Sequence, residues 1–141
     1  MQEVNSDLKL EKILAHDTRF SREAYLFVRE ALDFTQKLIG RENRDAIRHV
    51  TGQELLEGIR QYALQQFGPM ATTVFEEWGV TRSADFGEIV FNMVEGDLLA
   101  KTEKDSREDF QGGYDFDTAF RKPYLPQNRT QPEKKTITRL D

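Results

Sequence analysis

The chain has 141 residues, no cysteine and a formal net charge of -5. It is long enough to bury roughly two-thirds of its unfolded surface in one core, and the missing cysteine excludes disulfide frameworks, thiolate metal sites and cysteine nucleophiles together. No apolar run approaches the ~18 residues of a membrane span, and Met1-Gln2-Glu3-Val4-Asn5 lacks the basic start and apolar stretch of a signal peptide. A soluble, cytoplasmic protein without a membrane partner is expected. Asn128-Arg129-Thr130 fits a glycosylation acceptor only by accident in such a protein.

In chain order, Leu8, Leu10, Ile13 and Leu14 predict a short first helix after Ser6 or Asp7, with His16 to Arg19 as connection. Ser21 then caps a second helix, whose stripe of Ala24, Phe27, Val28, Ala31, Leu32, Phe34, Leu38 and Ile39 runs to Gly40 at the 3.6-residue period. Phe20, Phe27 and Phe34 stand seven apart on it, and such spacing reads as core packing before it reads as a ligand groove. A charged connection, Arg41 to Arg48, follows. The third helix is marked completely: Thr51 and Glu54 as a capping box, Val50 and Leu55 as a hydrophobic staple, Gly68-Pro69 as the stop,. Gly58 inside it costs about 1 kcal/mol relative to alanine, which predicts a close neighbour packed against it. Pro69 opens a short fourth helix with Val74, Phe75 and Trp78, closed by Gly79,. After a tight turn, Asp85 and Glu88 pair as caps of a fifth helix, with Phe86, Ile89, Val90, Met93 and Val94 as its apolar face and Gly96 as its end,.

From Asp97 to Phe120 helical periodicity lapses. Leu98 to Thr102 reads as a strand, Glu103 to Asp109 as a charged loop, and Phe110-Gln111-Gly112-Gly113-Tyr114 as a turn into a returning strand,. A continued helix to Phe110 is the competing reading. Phe110, Tyr114, Phe116 and Phe120 could clamp this segment onto the helices. All ten phenylalanines and the one tryptophan precede residue 122, and three of the four prolines follow it. The expectation is one mainly α domain over 1–121, a compact bundle of about five helices with a C-terminal β-hairpin, and a basic, proline-containing extended, disordered tail over 122–141. Five bases against two acids give that tail +3, leaving -8 on the body. An acidic body repels phosphate backbones.

Short helix, turn, longer helix and hairpin is the order of a winged helix. The side of the fifth helix left for a partner would be Asp85, Glu88, Asn92 and Glu95, with no base to meet phosphate or read guanine. The tail, through Lys134 and Lys135, offers a salt-dependent route to nucleic acid. Among the many carboxylates from Glu95 to Asp117, Asp115 and Asp117 flank Phe116, an alternation that puts both on one face of a strand. With Asp109 and His49 they are the weak candidates for a divalent-metal site, set against a solvated, ion-paired loop. His16 and His49 have no second ligand at metal spacing,, and the glycine-framed serine, phosphate-loop and dinucleotide patterns are absent.

The phrases Val28-Arg29-Glu30-Ala31-Leu32, His49-Val50-Thr51-Gly52-Gln53-Glu54-Leu55-Leu56, Tyr62-Ala63-Leu64, Phe67-Gly68, Trp78-Gly79, Asp85-Phe86-Gly87-Glu88-Ile89-Val90-Phe91-Asn92 and Tyr114-Asp115-Phe116 resemble an uncharacterised bacterial family described from planctomycetes and verrucomicrobia. The resemblance runs from Tyr25 to Phe120. It implies a bacterial cytosolic origin and a single domain, and brings no activity, cofactor or site. Three functions remain open on the residues. The first is a non-catalytic protein-interaction or regulatory module using Phe110, Tyr114 and Phe116. The second is a winged-helix-like nucleic-acid binder, and the third a divalent-metal hydrolase. No cofactor is expected.

Overall fold

In a computed structural model, the structure describes residues 2–42, 50–99 and 110–125. Five α-helices lie among them: α1 (Gln2–His16), α2 (Arg22–Glu42), α3 (Gly52–Phe67), α4 (Ala71–Glu77) and α5 (Ser83–Glu95). A single 3-10 turn, Gly68–Met70, leads into α4, and a π-helical turn, Asp117–Arg121, runs on into a 3-10 turn, Lys122–Tyr124. α2 packs along α3 and α5, α3 also meets α4, α1 lies on α5, and the C-terminal turns rest on α3 and α4.

The third helix forms as its sequence prescribes. Thr51 N–H donates to Glu54 Oε1 at 3.0 Å and Glu54 N–H donates to Thr51 Oγ1 at 3.1 Å, satisfying two of the donors a helix start leaves open. Gly58 has the close neighbour it predicted. A Cβ built there would lie 1.7 Å from Thr35 Oγ1, so α2 and α3 meet through this notch, and Thr35, buried, donates its hydroxyl to Ala31 O at 2.7 Å. Phe20 and Phe27 are core residues, while Phe34 is half-buried against Tyr62 at 5.2 Å between ring centres.

Several helix ends differ from the expectation. α1 is already helical from Gln2, ahead of Ser6 and Asp7. Ser21 marks the start of α2 but does not cap it with its side chain: its Oγ is buried without a hydrogen-bond partner, while its backbone N–H donates to Trp78 O at 3.1 Å. Gly40 stops nothing, because α2 passes through it to Glu42. Asp85 sits in the first turn of α5 rather than before it, and its Oδ2 accepts from the Thr81 and Arg82 N–H groups at 2.9 and 3.3 Å.

Gly96 caps the C-terminus of α5 as expected, but it is not the left-handed residue there. That role falls to Asp97, at φ +68°, with Leu98 N–H donating to Met93 O at 2.7 Å and Asp97 N–H to Val94 O at 3.1 Å, the paired bonds of a Schellman ending. Gly96 is required by packing instead, since a Cβ there would come within 2.6 Å of Ile13.

Among the described residues there is no strand. Leu98 and Leu99 lie in the turn after α5, and residues 100–109 fall outside the described residues. The expected returning arm is helical rather than extended. Phe116, Ala119 and Phe120 are buried together, an i, i+3, i+4 set that one helical face satisfies and a two-residue alternation does not. The helical turns pass the expected boundary at 121, and 126–141 lie outside the described residues.

Gly58→Ala gains helix propensity of about 1 kcal/mol yet forces the new methyl into Thr35, so a net destabilisation of about 1–3 kcal/mol is expected from denaturant melts. Adding Thr35→Ala relieves part of it, which a double-mutant cycle reads as favourable coupling. Asp97→Gly removes the cost of a left-handed side-chain-bearing residue and raises stability by up to about 1 kcal/mol in the same melts.

Candidate functional site

α5 is enclosed. From Ser83 to Val94 none of its residues is exposed; of the side expected to face a partner, Asp85, Glu88 and Asn92 are engaged by the protein itself, and Glu95 at its end is exposed. Its cover is the connection between α1 and α2. Asn92 Nδ2 donates to Asp17 Oδ2 at 2.9 Å and to the Tyr25 hydroxyl at 3.0 Å. Arg19 donates its Nε and Nη2 to the Asp17 carboxylate at 2.9 and 2.6 Å and reaches Glu88 Oε1 at 3.2 Å, with its guanidinium 5.0 Å above the Phe20 ring. The Arg19 hydrogen bonds hold the Asp17 carboxyl well below its usual range against the opposing effect of burial, and Asn92 assists. Burial pushes the Tyr25 phenol up. The cluster staples the connection to α5. Sequence reasoning missed it because Asp17 and Arg19 read as a solvated connection, and nothing local announces a partner 75 residues away.

The expected interaction aromatics are interior. Phe110 and Phe116 are buried, and Tyr114 is half-buried with its hydroxyl donated to Leu56 O at 2.9 Å; burial also drives its phenol upward. Tyr114 and Phe116 both meet Phe120, at 5.7 and 5.1 Å, while Phe110 fits over Gly87. These side chains clamp the C-terminal arm onto the helices.

Asp115 and Asp117 do not act together. Asp115 Oδ2 accepts from Thr118 N–H at 3.1 Å and so caps the following helical turn, whereas Asp117 pairs with Arg121 one turn on, at 3.6 Å. His49, Asp109, Lys134 and Lys135 lie outside the described residues. Among those described, no three His, Asp or Glu side chains are placed to hold a metal ion, and no helix is long and apolar enough to cross a membrane.

What remains as a candidate site is apolar. A cleft of about 220 Å³ opens between α2, the start of α3, α5 and the turn after it. Leu32, Val50, Leu55, Val90, Phe91, Val94, Leu99 and Phe110 form its walls, with Gln36 and Thr51 as polar groups. The staple pair Val50 and Leu55 faces this space, and the apolar stripe of α5 supplies Val90 and Val94. The volume suits one large side chain or a small apolar molecule. Its lining was legible as apolar, but as core; that these residues border a cleft is a tertiary fact without a local sequence signal.

No protein-family model, curated protein or solved structure matches the chain.

The Asp17 carboxyl, lowered in the folded state, contributes stability that is present above its unfolded value of 3.8 and is lost as pH falls below it. Urea melts of the wild type and Asp17→Asn between about pH 2.5 and 6, a range that brackets an ordinary carboxyl, are expected to diverge with rising pH and to run parallel above about pH 5.

Proposed function

We propose that this protein is a non-catalytic binding module, and that its binding element is the cleft between α2, α3 and α5. The observation that carries the reading is the cleft itself, an apolar recess with two polar groups. A recess of this kind takes up a bulky apolar side chain presented by another protein, the anchor type around which interface energy concentrates. The -8 charge of the body favours a partner carrying bases around that anchor, since complementary charge speeds encounter and rejects acidic competitors.

The nucleic-acid reading has less support. The order of α4, turn and α5 is compatible with it, but α5 lacks an exposed face and contributes acids, so contact would depend on the tail around Lys134 and Lys135. A metal hydrolase has no described cluster of ligands behind it. The resemblance to the bacterial family implies a single domain and adds no activity.

Panning a displayed random-peptide library against the wild type and against Val94→Phe, which fills the cleft from α5, tests the proposal. Enriched peptides are expected to share one bulky apolar residue flanked by lysine or arginine, and to bind Val94→Phe at least ~10-fold more weakly, the ~1.4 kcal/mol scale of a lost anchor. Absence of enrichment, or enrichment indifferent to the filled cleft in a variant of unchanged melting temperature, would refute it.

A further inference from the structure

α1 is held far more lightly than the connection that follows it. Of its described residues only Leu10 and Ile13 are buried, one helical step apart, with Leu14 half-buried beside them. Ile13 fills the notch left by Gly96. The polar ties are peripheral: Lys9 Nζ donates to Asp97 O at 3.3 Å, and the Glu11–Arg22 pair joins two side chains that are 56% and 41% exposed, the kind of ion pair that adds little. α1 has 15 residues, at the length where an isolated helix is marginal in water.

Besides the Asp17 N–H bond to Ile13 O at 2.9 Å, the connection beyond His16 has ties of its own to the rest of the bundle. Asp17 is bound by Asn92 and Arg19, Phe20 is buried, Ser21 N–H donates to Trp78 O, and the Arg19 carbonyl lies so close to Gly79 that a Cβ there would be 2.1 Å from it. The Gly79 left-handed turn, at φ +88°, is what lets the two backbones approach. A weakly held helix thus joins a rigid anchor at one point.

We propose that α1 is a releasable strap: it lifts from α5 as a unit about the His16–Asp17 junction, while Asp17 to Ser21 stay docked and the rest of the bundle remains folded. Release uncovers the seat of Ile13 at the C-terminal end of α5, around Asn92 and Gly96. This is a sub-global opening of the kind that separates loosely packed elements from a cooperative core.

Hydrogen–deuterium exchange of the wild-type chain, read by mass spectrometry, is the test. Peptides within 7–16 are expected to exchange at least ~100-fold faster than those within 52–67 and 83–95. Equal protection of α1 and α5 would overturn the proposal. A second arm uses Leu10→Asp combined with Ile13→Asp. Far-UV circular dichroism should then lose about one helix of signal while the near-UV Trp78 band and a cooperative melt persist. Loss of the Trp78 band would show that α1 is part of the cooperative core and would likewise overturn the strap.

Discussion

Phe75 is carried by a helix of only seven residues, too short to persist by its own hydrogen bonds. Its ring is fully buried and meets those of Phe27, Phe67, Trp78, Phe86, Phe116 and Phe120 at centroid distances of 5.2 to 6.2 Å. Most of these contacts are edge-to-face or tilted, the arrangements in which ring quadrupoles attract. Through that one side chain α2, α3, α5 and the C-terminal arm share a common centre, and α4 exists as a helix because it is pinned there. The enclosure of α5 and the interior position of Phe116 follow from it.

The aromatic centre also explains which features were legible in the sequence. Thr51 and Glu54 could be read because a capping box is complete within four residues and needs nothing from elsewhere. Gly58 could be read as a place of close approach because a glycine inside a well-marked helix carries a cost that packing must offset. The C-terminal arm was misread because Asp115-Phe116-Asp117 alternates over three residues, whereas the i, i+3, i+4 set of Phe116, Ala119 and Phe120 needs a wider window. Gly96 was legible as the end of α5, which it caps, but its second task, making room for Ile13, and the left-handed turn at Asp97 have no local sequence signal.

The site was the least legible part. Asp85, Glu88 and Asn92 looked like a solvent face because polarity within a helix predicts exposure on average; here Asp85 closes its own helix start, and Glu88 and Asn92 satisfy Arg19, Asp17 and Tyr25. Phe110, Tyr114 and Phe116 looked available because they sit among glycines and acids, yet the glycines serve them, with Gly87 receiving Phe110 and Gly113 brought against Leu56. The polar residues of α5 and the aromatics of the C-terminal arm are largely internal joinery, and the recess between α2, α3 and α5 is lined by residues of the same apolar stripes.

Trp78, the chain's only tryptophan, stands at 5.5 to 5.8 Å from the rings of Phe27, Phe67 and Phe75, and its carbonyl holds Ser21. Its fluorescence therefore follows the aromatic centre and the anchor behind α1. α1 itself contains no phenylalanine, tyrosine or tryptophan, so a rearrangement confined to that helix is silent in tryptophan emission, and an intensity trace from this protein measures the heart of the bundle while remaining blind to its edge.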